Sequence, residues 1–277
     1  MGALLDPWRD PLMQRALIEV VLLGIVGGTL GTWIVLQRLS FSAEALPHAM
    51  FPGLVGAALL GLPLVLGGAA GLVVAAMVIA LASRVRGLDR DAAISIAMTA
   101  LFGLGVLLAL SPDSPPGIGE LLFGDVLALT TGDLVLAAGL TVVVLGALRV
   151  LHARLAIVAF DRESAASLGV GPGRIDLLLL LLVALAVLIC VQALGNLFVA
   201  AVLVAPAATA RLLGRSLVAS MAVAVAVAIA CGVGGLLLSY HADTAAGASI
   251  ALVTVVAYLL AAAASRTSAS RRAPRPA

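Results

Sequence analysis

The chain has 277 residues, of which 63% are hydrophobic and 11% are charged, and its mean hydropathy is +1.22. Soluble domains average about 25% charged residues, so a soluble globular fold of this size is excluded. The net charge of +2 is too small to indicate a nucleic-acid-binding protein. In lipid only helices and closed barrels satisfy every backbone polar group. The composition therefore predicts an all-α integral membrane protein.

Apolar runs follow one another along most of the chain. A spanning helix needs about 20 mostly apolar residues. The runs lie at 16–36, 48–62, 64–82, 92–110, 132–151, 177–194, 196–213, 217–238 and 248–264. Several of them are short, and two pairs are separated only by the stretches GLP (Gly61 to Pro63) and LGN (Leu194 to Asn196). The sequence therefore leaves a bundle of eight transmembrane helices and a bundle of nine both open.

The arginines predict how these spans are oriented. They cluster at 84–90, 149–174 and 266–275, whereas the connections 111–119 and 239–247 contain none. Arginine-rich connections stay in the cytoplasm, so the two arginine-free connections face outward. Nine spans would place the N-terminus outside, and eight would place it inside.

Three regions follow from this pattern. Residues 1–15 form an N-terminal segment, and residues 16–264 form the transmembrane domain. The polar, arginine-rich residues 265–277 form a cytoplasmic tail that we expect to be disordered.

Glu44 and His48 are the best candidates for a functional pair. They lie four residues apart at the edge of an apolar run, so on a helix they share one face. A charge at membrane depth is costly, and a polar residue retained there is a functional candidate. A carboxylate and a neutral imidazole can together bind a divalent metal such as Zn²⁺ or Mn²⁺. The alternative is that Glu44 caps the helix and His48 faces a lipid headgroup.

Further positions indicate breaks or gates. Pro52 and Gly53 directly follow the pair, and Pro206 interrupts a later run. Broken helices near a midplane site are typical of transporters, although a plain proline kink is equally open. Asp125 follows the first outward connection and is predicted to lie in an interfacial turn or a gate. Asp243 lies in the last outward connection and is expected to cap the helix after it.

The longest cytoplasmic connection, 152–176, predicts a short helix outside the bundle. Asp161 is the expected N-cap, Glu163 lies in the first turn, and Gly169 lies just past the end. A small apolar face is predicted from Ala165, Ala166 and Leu168. Such a face favours docking of a partner protein, while resting on lipid headgroups is the alternative.

Five stretches of this chain, in order, resemble the permease subunits of the zinc and manganese ABC importers, the ABC-3 type. The similarity covers roughly residues 15–264. The stretches are ALPHAMFPGLVGAALLG, LLFGDVLAL, FDRESAASLGV, FVAAVLVAPAATARLL and HADTAAGASIALV.

The resemblance implies a permease in the bacterial cytoplasmic membrane that works as a homodimer. It implies two cytoplasmic ATPase subunits and an extracytoplasmic metal-binding protein as partners. The transported ion would be Zn²⁺ or Mn²⁺, and no cofactor would be bound permanently. Glu44 and His48 match the metal path, where the family usually has Asp at the first position. The segment from Asp161 to Gly169 matches the helix that couples the ATPase to the pore.

Two other functions remain open from the sequence. One is a permease for a metal chelate such as a siderophore, although a bulky chelate would not need a compact acid–histidine pair. The other is an intramembrane metallo-hydrolase using His48 and Glu44, although the H-E-x-x-H pattern is absent. The chain contains no lysine, so it cannot carry the P-loop of an ATPase.

Overall fold

The computed structural model describes residues 6–82, 89–114, 126, 129–195, 198–213 and 216–272, without the side chains of 80, 90, 192 and 266–272. Within these ranges the secondary structure is helical throughout. A 3-10 turn at Asp6–Arg9 precedes ten α-helices. These are α1 Pro11–Leu36, α2 Ser40–Leu59, α3 Leu64–Ala82, α4 Arg90–Ala109, α5 Thr131–Phe160, α6 Arg162–Ser167, α7 Pro172–Leu194, α8 Val199–Leu212, α9 Leu217–Ala242 and α10 Ala246–Arg272.

The prediction of an all-α, multi-pass membrane bundle is confirmed. Among the described residues six helices are long and apolar enough to cross a bilayer, namely α1, α4, α5, α7, α9 and α10. The helices α3 and α8 are shorter apolar helices, and α2 carries the polar candidate pair. Nine of the described helices correspond to the nine apolar runs, and α6 is the short helix predicted between them.

Contacts between helices show which ends lie together. The rings of Trp33 and His152 are 5.4 Å apart, which places the end of α1 beside the end of α5. Arg211 Nη1 donates to the Val35 carbonyl over 3.3 Å, which adds the end of α8. The arginines of the connection around α6 lie at this same end, so we assign it to the cytoplasm. The start of α1 then lies at the outer end of the bundle.

Glycine allows α1 to lie against its neighbours with little space between backbones. A Cβ atom on Gly28 would overlap the backbone of Val225 in α9, and one on Gly31 would overlap the Leu203 carbonyl of α8. Lipid supplies no hydrophobic drive between helices, so close backbone approach is a main source of attraction in a membrane bundle. Through these contacts α1, from the start of the chain, packs among helices from the second half of the chain.

Two helix boundaries differ from the sequence-based expectation. The second apolar run starts at residue 48, but α2 begins at Ser40 and so includes the whole candidate pair. The tail that we expected to be disordered from residue 265 is helical up to Arg272, so that expectation is corrected there. The alanine-rich end of the last span continues without glycine or proline up to Ala273, which favours continuation of the helix.

Replacing Gly28 by Ala is expected to destabilise the bundle, because the added methyl group meets the α9 backbone and cannot be accommodated by a side-chain rotation. The expected loss is about 1–3 kcal/mol, the range for overpacking. Gly103→Ala in α4 is the matched control, because its added Cβ has nothing within 4 Å. Thermal unfolding in detergent should show a lower midpoint for Gly28→Ala only. Equal midpoints for the two variants would contradict this packing account.

Candidate functional site

Glu44 and His48 lie in the first half of α2 and share one face, as their spacing predicts. The Glu44 side chain is exposed and His48 is half-buried. His48 Nδ1 lies 3.0 Å from the Glu44 backbone carbonyl. A carbonyl oxygen only accepts hydrogen bonds, so Nδ1 carries the proton and Nε2 is unprotonated in the neutral ring. This arrangement prepares Nε2 as a metal ligand and leaves the Glu44 carboxylate beside it.

An aromatic pair holds the imidazole ring in place. The Phe102 ring of α4 meets the His48 ring edge-on, with 5.5 Å between centroids. Phe51, which is fully buried, lies 5.5 Å from the same Phe102 ring. The ring of His48 is thus fixed by a hydrogen bond along α2 and by an apolar contact from α4. Fixed ligand geometry is what a metal-binding side chain requires.

Two prolines lie inside α2, on either side of the histidine. Because proline has no N–H, Pro47 cannot donate to the Ala43 carbonyl and Pro52 cannot donate to the His48 carbonyl. Backbone oxygens released in this way are potential ligands for a cation in a transporter helix. The structure therefore places a histidine side chain and two such carbonyls within one short stretch of helix.

Gly53 keeps this stretch close to α3. A Cβ atom at Gly53 would overlap the Gly67 carbonyl and the Gly71 backbone. On the other side of α2, a Cβ at Gly105 of α4 would overlap Phe51. The candidate site is consequently clamped between two neighbouring helices through glycine contacts.

One chain supplies few strong metal ligands at this place. Over the part of the chain that the structure describes, no three His, Cys, Asp or Glu side chains come together in a group able to hold a metal ion. Zn²⁺ in proteins usually takes four ligands and harder ions about six. The pair can therefore hold an ion only weakly unless backbone, water or another chain adds ligands.

Pro206 interrupts α8 at a buried position. Its ring nitrogen cannot bond to the Val202 carbonyl, and that oxygen lies 3.0 Å from where a Cβ on Gly27 would be. Thr209 Oγ1 donates to the Ala205 carbonyl over 2.8 Å in the next turn. The break is thus packed directly against α1 rather than against the Glu44–His48 pair.

The short helix α6 has the caps that the sequence predicts. Asp161 Oδ1 accepts from the Ser164 amide over 3.0 Å, and hydrogen bonds from Ser164 lower the pKa of Asp161. Gly169 follows the helix with φ +74°, a conformation that glycine adopts without strain. Glu163 is exposed in the first turn. The helix itself ends at Ser167 with Leu168 as its C-cap.

The apolar residues of α6 do not form one face. Ala165 is completely buried against the bundle, whereas Ala166 is exposed and Leu168 is 66% exposed. The expectation of a single apolar face is corrected accordingly. One small side chain anchors the helix, and the other two remain available for contact with another protein.

An ion pair that the sequence did not indicate connects α6 to α7. Arg162 Nη2 and Nη1 lie 2.5 and 3.3 Å from the two carboxylate oxygens of Asp176. The Asp176 side chain is only 9% exposed, and the hydrogen bond raises the pKa of Arg162. A two-pronged Arg–carboxylate pair fixes orientation as well as distance. Movement of α6 is therefore transmitted to the start of α7.

The two remaining predicted positions stand apart from this site. Asp125 lies outside the described residues. Asp243 does not cap the following helix, so that expectation was wrong. It is the C-terminal cap of α9, with φ 54°, and α10 begins only at Ala246. An aspartate tolerates the left-handed conformation better than most residues, which explains its place at the turn.

Comparison with known proteins identifies the family and agrees with the fold. Residues 9–265 match the ABC 3 transport family. The manganese transport system membrane protein MntC of Halalkalibacterium halodurans is 32% identical over 90% of this chain and 86% of its own length. The chelated iron transport system membrane protein YfeD of Yersinia pestis is 29% identical, over 92% of this chain and 86% of its own. PsaBC from Streptococcus pneumoniae, solved in complex with Fab, superposes with a TM-score of 0.85 at 28% identity, covering 93% and 94% of the two chains.

The fold and the comparisons together define an ABC transporter permease, a multi-pass bacterial membrane protein that transports rather than catalyses. The chain belongs to the ABC 3 transport family, as its sequence motifs indicated. The matched residues include α6 and all of the described long helices except the last residues of α10.

Replacing Arg162 by Gln is expected to loosen α6, because the largely buried Asp176 carboxylate loses its partner. Half of the Arg162 side chain is exposed. We therefore expect the lost pair to destabilise the docked position of α6 by only about 1–2 kcal/mol, less than the cost of breaking a fully buried pair. Amide hydrogen exchange of 163–168 should accelerate roughly tenfold, with the long helices unchanged. Glu163→Gln is the matched control. Unaltered exchange in Arg162→Gln would show that the pair does not hold α6.

Proposed function

We propose that this chain is the membrane permease subunit of an ATP-driven importer for a divalent transition-metal ion, with Mn²⁺ as the principal cargo. The observation that carries the proposal is the Glu44–His48 pair of α2, in which Nδ1 of the imidazole lies 3.0 Å from a carbonyl oxygen and Nε2 is left for a metal ion. A weakly held ion at such a pair can be bound and released on each cycle. A complete ligand set would trap it.

The ligand chemistry supports a divalent first-row metal. A carboxylate oxygen and an imidazole nitrogen suit Mn²⁺, Fe²⁺ and Zn²⁺, and they do not separate these ions by themselves. The name of the H. halodurans relative favours manganese. We therefore rank Mn²⁺ before Zn²⁺ and Fe²⁺.

A two-fold symmetric dimer would complete the pathway. Among its described residues one chain brings together no three side chains able to hold a metal ion, so two copies around an axis would double the number of strong ligands at the pair. The exposed carboxylate of Glu44 is accessible to such a partner. The dimer would also present two copies of α6.

The energy source and the delivery of the ion would come from other subunits. The chain has no lysine and thus no P-loop, so ATP hydrolysis requires a separate ATPase. The exposed Ala166 and Leu168 would dock two copies of that ATPase in the cytoplasm. A metal-binding protein at the outer end would deliver the ion and set much of the selectivity.

A metal chelate is the second candidate cargo, and the name of the Y. pestis relative favours it. Against it, the His48 ring contacts the Phe102 ring, and α2 is packed closely against α3 and α4. A bare ion needs far less space than a chelate. The two cargoes are distinguished by supplying manganese and iron with and without a chelator.

Replacing His48 by Ala is expected to reduce Mn²⁺ uptake by at least about tenfold, because the nitrogen ligand is lost. His241→Ala provides a matched control, since His241 is exposed in the last turn of α9, at the outer end. Uptake is measured in proteoliposomes containing the permease, its ATPase and its binding protein. ATPase co-purification should be unchanged in both variants.

Equal uptake by wild type and His48→Ala would remove the pair from the pathway. Uptake of a chelate in preference to every free ion would overturn the proposed cargo. Preference for Zn²⁺ or Fe²⁺ over Mn²⁺ would leave the proposal of a metal-ion importer intact and would correct the ranking of the ions.

Replacing Ala166 by Arg is expected to weaken docking of the ATPase, because a charge enters a small apolar contact. Ala166→Ser at the same exposed position should be nearly neutral. The readouts are co-purification of the ATPase and the ratio of ATP hydrolysed to metal transported. Normal assembly and normal coupling in Ala166→Arg would place the docking surface elsewhere.

A further inference from the structure

Glu19 of α1 is a buried carboxylate that the metal pathway does not use. Its side chain is 2% exposed, and its Oε2 atom makes no hydrogen bond within the described structure. Arg15 lies one helical turn earlier but is exposed, and no ion pair joins it to Glu19. An unpaired carboxylate anion away from water is strongly disfavoured.

The neighbouring helix α5 places a second negative charge near the Glu19 carboxylate instead of a positive one. The contact between Trp33 and His152 sets α1 and α5 side by side, and both helices run from the outer to the inner end. Glu19 lies fourteen residues before Trp33, so it is level with residue 138, which lies fourteen residues before His152. Asp133 lies just above this level and is close enough to repel the Glu19 carboxylate electrostatically. Thr141 lies just below it, and its buried hydroxyl also has no partner in the described structure.

Among the residues that the structure describes, the other helices around α1 supply no positive charge at this level. On α7 the nearest titratable group is the buried Cys190 thiol. On α9 it is His241, exposed about two turns farther out. On α8 it is Arg211, which binds the inner end of α1. The only titratable side chain of α10 before residue 266 is Tyr258, and α2 carries Glu44 and His48 in its half nearer the cytoplasm.

Further observations concern the positive charges and the water that could stabilise a Glu19 anion. The Arg9 side chain of the 3-10 turn is paired with Asp6 over 3.9 Å. The sequence from 91 to 148, which includes the whole outer connection, contains no Arg, Lys or His. A small cavity beside the next turn of α1 is lined by aliphatic side chains and glycines, among them Val20, Leu23 and Leu194. Apolar cavities do not hold water that could solvate a charge.

We propose that Glu19 is a proton-binding site, and that it carries a proton whenever the outer halves of α1, α5 and α7 are packed as they are here. The carboxyl group is then neutral, which removes both the desolvation cost and the repulsion from Asp133. When these helices part, water reaches Glu19 and the proton leaves. Protonation thus favours the packed arrangement, and the equilibrium between the two arrangements depends on pH.

Infrared spectroscopy of the complete chain in nanodiscs tests this directly, without metal or ATPase. Wild type at neutral pH should show the C=O band of a protonated carboxyl group, and Glu19→Gln should lack it. Glu163→Gln, at an exposed site outside the membrane, should keep the band. Glu19→Gln should fold normally, because glutamine is a neutral replacement of nearly the same shape.

The band should disappear reversibly as the pH of the wild-type sample is raised, which supplies a readout that does not depend on a variant. A spectrum of Glu19→Gln identical to that of wild type would overturn the proposal. A wild-type spectrum without a protonated carboxyl group at neutral pH would do the same. Neither result bears on metal transport by Glu44 and His48, so the two proposals fail separately.

Discussion

Close backbone contact between helices is the constraint on which the rest of the structure depends. In lipid, apolar side chains gain nothing by leaving the surrounding acyl chains, so attraction between helices comes from contact distance. Gly28 and Gly31 bring α1 against α9 and α8, and Gly53 brings α2 against α3. Because α2 is clamped in this way, the prolines beside His48 and the hydrogen bond to Glu44 have a fixed geometry.

The same rigidity connects the cytoplasmic face to the membrane interior. The helix α6 follows the 30-residue helix α5 directly and is joined to α7 by Arg162 and Asp176. It is held to the bundle by the single buried residue Ala165. A force on the exposed side of α6 therefore reaches two transmembrane helices, one through the chain and one through an ion pair. Under the proposed function, an ATPase docked at α6 would act on the bundle through these two connections.

Much of this fold could be predicted from the sequence, because a spanning helix is recognised from a single continuous run of apolar residues. The apolar runs left eight or nine spanning helices open, and a helix lies at each of the nine runs in the described structure. The spacing of Glu44 and His48 predicted one shared face. Asp176 was missed because its role depends on the orientation of Arg162 across the turn between α6 and α7. Glu19 was missed because its role depends on helices distant in sequence. Asp243 was assigned to the wrong helix, since the same residue type is common at both kinds of helix end.

The most direct test of the central claim is whether a transported ion touches the imidazole of His48. Mn²⁺ is paramagnetic, and electron spin echo envelope modulation detects a nitrogen nucleus bound to it. The assembled transporter, loaded with Mn²⁺ and trapped without ATP turnover, should show imidazole nitrogen coupling in wild type and none in His48→Ala. Bound Mn²⁺ with no nitrogen coupling in wild type, or with coupling retained in His48→Ala, would contradict the account.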